Sequence, residues 1–193
     1  MRHLIRKTTL VFFILCLTTS AIKAKEPLKE KGLKSSSSNV SQKDTLTYTH
    51  PQLQYRISYP ASFVIKPLAM AVSFSAPEED KKFYFSPNVN IISQTFDTTT
   101  LSLDEFYESA KKSLLLRAPT TEIIEEKKTK VARVDSRRLV YRRKEKKAEF
   151  QFLQEIFIFK NRVYVITYTA LVEQFNRYLP EVEKMIKSFE FIS

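Results

Sequence analysis

The chain has 193 residues, and its 32 lysine and arginine residues against 21 aspartate and glutamate residues give it a formal net charge of +11. It contains one glycine, one cysteine and two histidines. This composition excludes glycine-rich phosphate loops, dinucleotide fingerprints, nucleophile elbows and ordinary His/Cys zinc centres as recognisable motifs. A hydrophobic fraction of 43% is consistent with a domain that has a buried core.

Residues 1–24 have the features of a secretory signal peptide. The chain starts with the basic residues Arg2, Arg6 and Lys7, and residues 10–17 form an apolar centre. Small residues at 21–24 are typical of a cleavage site. The protein is therefore expected to be exported and to be periplasmic or secreted after cleavage. Two alternatives stay open, a retained membrane anchor and lipid attachment at Cys16, although the apolar run is shorter than the roughly 20 residues of a membrane span.

Cleavage after Ala24 would change the composition of the mature chain. It would remove four basic residues and no acidic ones, which leaves 28 basic against 21 acidic residues and a net charge of +7. It would also remove the cysteine and one histidine, so that His50 is the one histidine left. Neither a disulfide nor thiol chemistry is then available, and stability has to come from the core.

Residues 25–44 are predicted to form a flexible linker, since they are rich in lysine, glutamate and serine and nearly lack apolar side chains. Asn39-Val40-Ser41 is a glycosylation sequon, which matters only in a host that glycosylates exported proteins. The folded domain is expected to cover residues 45–193.

The first part of this domain has the alternating pattern of β-strands. From Thr45 the pattern alternates, and Leu53, Tyr55, Ile57 and Tyr59 predict a first long strand that ends at Pro60. Residues 72–75 and 88–96 continue the sheet. His50 is expected in a surface turn. The charged residues 78–82 are expected to form a solvated loop, and calcium binding there is the weaker alternative.

A helix is predicted to begin at Ser102, because Ser102 and Glu105 form a capping box. Its apolar stripe would be buried, and Pro119 marks its end. Ser109 and Lys112 have the Ser-x-x-Lys spacing of penicillin-binding enzymes, but the companion motifs are missing. We therefore assign both residues to a solvated helix face.

The last third of the chain predicts the centre of the sheet. By Ile156 the strand at residues 150–159 is apolar on both sides of the pleat, and residues 163–168 run back as a second strand of this kind, which is typical of strands covered on both faces. Residues 160–162 would join them in a tight turn, with Asn161 at positive φ. Strands at residues 122–131 and 133–144 precede this central hairpin.

After residue 170 the apolar spacing becomes helical. Because proline fits only the first turn of a helix, Pro180 predicts a short helical turn near Phe175 and then a main helix up to Ser188. The order of strands and helices favours an α+β fold, an antiparallel β-sheet flanked by helices on both faces (an αβα sandwich).

Six short segments carry a resemblance through their order and spacing. They are Tyr55-Arg56-Ile57-Ser58-Tyr59-Pro60, Val72-Ser73-Phe74-Ser75-Ala76-Pro77, Asn88-Val89-Asn90-Ile91, Ser102-Leu103-Asp104-Glu105-Phe106, Val163-Tyr164-Val165-Ile166-Thr167-Tyr168 and Ser188-Phe189. On these segments residues 45–193 resemble the PsbP-like superfamily, which includes DcrB-like periplasmic proteins. The family usually has tryptophan where this chain has Phe63. The resemblance implies a PsbP-like sandwich that acts outside the cytoplasm as a non-catalytic binding or accessory module.

The run from residue 127 to residue 147 is strongly basic, and alternation places its apolar centre inside and its two ends in water. The predicted hairpin tip would project as a dense positive knob. The candidate binding residues in this run are Arg137, Arg138, Arg142, Arg143, Lys144, Lys146 and Lys147. The simpler interpretation is that these charges prevent aggregation between strand edges.

Docking on an anionic surface is the sharper functional hypothesis for this basic run. Lipid headgroups, a cell-envelope polymer or an acidic protein could each be the target. Nucleic acid is not expected, because export separates the protein from it. The sequence predicts no cofactor and no metal. The competing hypothesis is an extracytoplasmic hydrolase with an unrecognised carboxylate or lysine site.

Overall fold

The computed structural model describes residues 44–77, 85–95, 102–145 and 148–192. The predicted signal peptide, nearly all of the predicted linker with its sequon, the charged residues 78–82, Lys146 and Lys147 lie outside these residues. The elements are β1 Thr45–His50, β2 Tyr55–Pro60, β3 Val64–Leu68, β4 Ala71–Ser75, β5 Asn88–Thr95, α1 Leu103–Arg117, β6 Thr121–Val131, β7 Val134–Glu145, β8 Ala148–Phe159, β9 Arg162–Leu171, α2 Val172–Ser188 and β10 Glu190–Phe191.

The strands form two antiparallel sheets. The larger has seven strands in the order β3-β4-β5-β9-β8-β7-β6, and the smaller has three in the order β1-β2-β10. The predicted central hairpin is β8–β9, and its place in the middle of the larger sheet is confirmed. The strand β8 is buried on both faces between residues 151 and 157.

The first predicted strand is confirmed from Tyr55 to its end at Pro60, but its beginning is wrong, because Leu53 and the residues before it do not continue the same strand. Residues 51–54 form a turn in which Gln54 has a φ of 49°, and the chain reverses there into the hairpin β1–β2. Pro51 begins this turn because proline lacks the N–H that a strand interior needs. The hairpin belongs to the smaller sheet, which the sequence pattern did not reveal.

Two tight hairpin turns are made without glycine. Ala132 and Arg133 join β6 to β7, Lys160 and Asn161 join β8 to β9, and all four residues have a positive φ between 45° and 65°. Two consecutive residues of this kind give the turn whose twist matches that of the flanking strands. Asn161 was predicted at positive φ, and Lys160 was not. We infer that the long strand pairing on each side outweighs a steric cost of roughly 1 kcal/mol per residue.

The main core lies between the larger sheet and α2. It contains Phe157 and Tyr164, whose rings stack 5.4 Å apart, together with Val182 and Met185 of α2. The smaller sheet adds Tyr55, which stacks on Phe189 at 4.8 Å. These buried side chains join both sheets and α2 into one packed unit.

The helix α2 is continuous from Val172 to Ser188, with Pro180 inside it. The prediction of a short turn followed by a separate helix is therefore wrong. Proline removes one backbone hydrogen bond at this point. Because Phe175, Tyr178 and Val182 are all buried on the same side, the packing of the apolar stripe continues across the proline, which is exposed.

The helix α1 begins as predicted. The Ser102 Oγ accepts a hydrogen bond from the Glu105 backbone N–H at 3.3 Å, and the Glu105 carboxylate accepts one from the Ser102 N–H at 2.8 Å. Among the strands, α1 contacts β7 and β8, whereas α2 contacts β2, β8 and β9. The hydroxyl of Tyr107 and the ammonium of Lys111 both donate to Glu126 of β6, which ties α1 to the edge of the sheet.

His50 is buried, with 2% of its surface exposed, so the expectation of a surface turn is wrong. Its Nδ1 accepts hydrogen bonds from the backbone N–H groups of Gln52 and Leu53, both at 3.2 Å. The neutral ring therefore carries its proton on Nε2, which has no hydrogen-bond partner among the described residues. Burial lowers the pKa of His50 below the usual histidine value.

Replacing Phe157, which is fully buried, should be costly. We expect Phe157→Ala to lower the free energy of unfolding by about 3 to 5 kcal/mol, through lost burial and a residual cavity. Lys128→Ala on the exposed edge strand should change it by less than about 0.5 kcal/mol. Urea unfolding of both variants measures the difference. Equal effects would contradict the central position of β8.

The free energy of unfolding should fall on acidification because of His50. The lowered folded-state pKa means that the unfolded chain binds the proton more readily. This contribution is complete above an unfolded pKa of about 6.5 and is lost as pH falls below it, with a slope of at most about 1.4 kcal/mol per pH unit. His50→Asn cannot titrate and should remove this component from urea unfolding curves at pH 5 to 8. An unchanged pH dependence would contradict the assignment.

Candidate functional site

The β7–β8 hairpin extends beyond the strands on either side of it. On one side β6 starts at Thr121, opposite Arg143, and on the other side β9 ends at Leu171, opposite Phe150. The pairing of β7 with β8 continues two residue pairs further, to Glu145 opposite Ala148. The last two pairs of this hairpin, Lys144 with Glu149 and Glu145 with Ala148, therefore lie beyond both neighbouring strands. We call residues 144–149 the tip of the hairpin.

The charges at and next to this tip are predominantly positive. Residues 142–149 contain five basic side chains and two acidic ones, which gives this segment a net charge of +3. The basic residues are Arg142, Arg143, Lys144, Lys146 and Lys147. Lys144 is exposed, and Lys146 and Lys147 lie outside the described residues.

The two arginines next to the tip, Arg142 and Arg143, contact other side chains of the β7–β8 hairpin. The Arg142 Nε donates to the Gln151 carboxamide at 3.0 Å. Arg143 is 9% exposed, pairs with Glu145, and lies over the ring of Phe152 at 5.2 Å. Its burial differs from the expectation that this end of β7 stays in water. Among the described basic residues of residues 142–149, Lys144 is therefore the exposed one, Arg142 is half-buried and Arg143 is buried.

Arg137 and Arg138 do not belong to the tip. They lie in the middle of β7 and point to opposite faces, as alternation predicted. Arg137 pairs with Asp104 in the first turn of α1. Arg138 pairs with Glu183 of α2, with Nη1–Oε1 and Nη2–Oε2 distances of 2.5 and 3.0 Å. Both arginines thus attach a helix to the sheet, and the structure separates them from the other candidate binding residues.

A buried carboxylate that the sequence reading missed lies next to Arg138. Glu155 of β8 is 1% exposed, and its Oε1 accepts from the Arg138 Nε at 2.5 Å. Its Oε2 accepts from the hydroxyls of Thr129 and Ser136 at 2.7 and 2.6 Å. A lone glutamate within the apolar run of β8 was the available signal, since a buried charge requires a partner.

Arg138 is charged throughout the physiological range. Burial alone would lower its pKa, but hydrogen bonds to Glu183 and Glu155 outweigh that effect and hold the pKa above the usual arginine value. Every oxygen of Glu155 is occupied by a donor of the chain. This arrangement is that of a structural ion pair, in which the carboxylate has no free oxygen for a substrate.

The other candidates from the sequence are dispersed. Ser109 and Lys112 are both exposed on α1, as expected for a solvated helix face. In the part of the chain that the structure describes, no group of three or more His, Cys, Asp or Glu side chains could hold a metal ion. Within the same part, no helix is both long and apolar enough to cross a membrane.

Known proteins of similar structure are distant in sequence. The solution structure of cyanobacterial PsbP (CyanoP) from Synechocystis sp. PCC 6803 is 12% identical, with a TM-score of 0.59 over 81% of this chain and 98% of that chain. LpqN of Mycobacterium tuberculosis, described as involved in cell envelope biogenesis, is 8% identical, with a TM-score of 0.62 over 78% and 91%. At these identities the similarity shows the fold.

A third structure has the same fold. PA94 of Pseudomonas aeruginosa, a protein of unknown function, is 9% identical, with a TM-score of 0.56 over 75% of this chain and 94% of that chain. No curated protein matches the sequence. The family model described as PsbP-like protein matches residues 9–191. Because this match spans nearly the whole chain, and the three structures have its fold, the chain belongs to the PsbP-like family.

Proposed function

We propose that this protein is an exported, non-catalytic binding or accessory module of the cell envelope, which docks on an anionic surface or acidic partner through the tip of the β7–β8 hairpin. One observation carries the proposal. The tip extends past both neighbouring strands and presents Lys144, with Lys146 and Lys147 next to it in the sequence. Membership of the PsbP-like family and the involvement of LpqN in cell envelope biogenesis support the proposed location and the accessory role.

The ion pairs of β7 support a division of labour among its basic residues. Arg137 and Arg138 are neutralised by Asp104, Glu155 and Glu183, so they add little to the field outside the protein. Lysine suits the exposed tip, because its ammonium is a compact point charge on a flexible stem and can meet an irregular anionic surface. The proposed docking residues are accordingly the tip lysines together with Arg142.

We also propose that α1 and α2 lie on opposite faces of the larger sheet and form a sandwich with it. The buried residues of α2 share the core with Phe157 and Ile166, which lie on one face of the larger sheet. The contacts of α1 with β7 and β8, and the pair of Asp104 with Arg137, support a place for α1 on the opposite face. In this arrangement the hairpin tip lies at one end of the sandwich, so docking through the tip does not require contacts from either helix.

Docking can be tested by removing the charge of the tip. The variant Lys144→Gln/Lys146→Gln/Lys147→Gln should bind anionic vesicles and polyglutamate about 100-fold more weakly, if each basic residue near such a surface contributes roughly 1 kcal/mol. Sedimentation or fluorescence titration over a salt series measures the affinity. Binding of the unmodified protein should weaken steeply with salt, because exposed charges are screened.

The matched control removes the same charge elsewhere. Lys112, Lys184 and Lys187 are exposed on the two helices, so their triple change to glutamine lowers the net charge equally. We expect this control to bind within a few-fold of the unmodified protein. An equal loss of affinity in both triple variants would show that net charge alone drives binding, which contradicts docking through the tip. The absence of binding to either anionic probe would reject the proposal.

The hydrolase alternative can be tested at Glu155. This carboxylate has a serine hydroxyl 2.6 Å away, which is the observation that favours a catalytic interpretation. We expect Glu155→Gln to lower the free energy of unfolding by about 1 to 3 kcal/mol, since a buried hydrogen bond to a charged group is weakened. Vesicle binding of the folded variant should be unchanged. Esterase or phosphatase turnover that disappears in Glu155→Gln would instead establish the enzyme.

A further inference from the structure

One face of the larger sheet has a row of polar side chains that crosses five strands. Lys66 of β3 pairs with Ser73 of β4, Ser73 with Asn90 of β5, Asn90 with Thr167 of β9, and Thr167 with Gln154 of β8. Directly paired residues project to the same face, so these five side chains form one continuous row. Four interstrand steps make the row about 19 Å long.

The next row on this face is also largely polar. It runs from the exposed Val64 of β3 through Ser75, Asn88 and Thr169 to the ring of Phe152. Residues of the opposite face, such as Phe74, Val89 and Ile166, are fully buried. The serine, asparagine and threonine residues of the two rows, by contrast, are half-buried. The β4, β5 and β9 part of this face is therefore partly accessible, whereas Gln154 and Phe152 at the β8 end of the rows are buried, on the side of the sheet where α1 contacts β7 and β8.

The hydrogen-bonding capacity of these rows exceeds what the fold uses. Among the described residues, the Asn90 carboxamide donates to Asn88 at 2.7 Å, Asn88 donates to the Ser86 carbonyl at 3.1 Å, and Gln154 donates to Thr167 at 3.3 Å. A hydroxyl both donates and accepts, and each carboxamide has four hydrogen-bonding positions. Several neutral donors and acceptors in each row are thus left to solvent or a ligand.

We infer that the two polar rows bind a neutral polyhydroxylated ligand, a short glycan, at a site separate from the hairpin tip. Lys66 is the one charged member of the rows, so little on this face selects an anion. An apolar ligand would leave the hydroxyl and carboxamide groups desolvated without partners. A glycan offers donors and acceptors along its whole length. Its apolar ring faces can contact the exposed part of Phe150, which is half-buried and already meets the ring of Phe85 edge-on at a centroid distance of 5.0 Å.

The test is a titration of the isotopically labelled full chain, followed by NMR, with a β-1,4-linked tetrasaccharide of N-acetylglucosamine as the probe. We expect saturable shifts at Ser73, Asn90 and Thr167. In the variant Thr167→Val/Thr169→Val the dissociation constant should rise about fivefold or more, the loss expected for two hydrogen bonds. An uncharged alanine-serine peptide of similar length serves as the second probe and should not bind.

Two controls separate this site from other effects. Thr47→Val/Thr49→Val makes the same change on exposed residues of β1, in the smaller sheet, and should leave glycan binding unaltered. The triple glutamine variant of the tip lysines should also keep it, since the proposed docking surface is elsewhere. Absent or non-saturable shifts, shifts confined to other strands, or preference for the peptide would each overturn the inference.

Discussion

The ion pair between Arg138 and Glu155 is the constraint on which much of this fold depends. Glu155 is 1% exposed and lies in β8, next to the middle strand of the larger sheet. Its charge has to be neutralised, because an isolated buried charge is very unfavourable. Arg138 does this from β7 and also reaches Glu183, so the same guanidinium joins the sheet to α2. Thr129 adds a hydroxyl from β6. Four elements are therefore positioned around one buried charge.

This arrangement favours specificity of packing over raw stability. A buried ion pair gains little net energy, since desolvation of both charges offsets their attraction. Misplacing α2 by one turn, however, would separate Glu183 from Arg138. The aromatic cluster around Phe157 and Tyr164 supplies the burial energy, and such packing tolerates small shifts better than a directional ion pair does. The two kinds of interaction thus have different roles on the same face.

The sequence predicted features that depend on local periodicity. The central position of β8 and β9 followed from apolar residues on both sides of the pleat, and the start of α1 followed from its capping box. Prediction from the sequence was wrong where tertiary packing overrides a local rule, as at Pro180 inside α2. It was also wrong where the alternating pattern continues across a turn, as between β1 and β2. The helix partners of Arg137 and Arg138, Asp104 and Glu183, lie 33 and 45 residues away in sequence, a separation that no local pattern encodes.

The smaller sheet has a kinetic consequence. Its strand β10 pairs Phe191 with Tyr55 and Glu190 with Arg56, and the Ile192 N–H donates to the Gln54 carbonyl at 2.8 Å. These contacts join segments that are more than 130 residues apart, so the entropy of closing that loop has to be lost before they form. The larger sheet is built mostly from neighbouring hairpins and can assemble locally. We expect the pairing of β2 with β10 to form late in folding, and we expect its amide groups to exchange early in native-state hydrogen exchange.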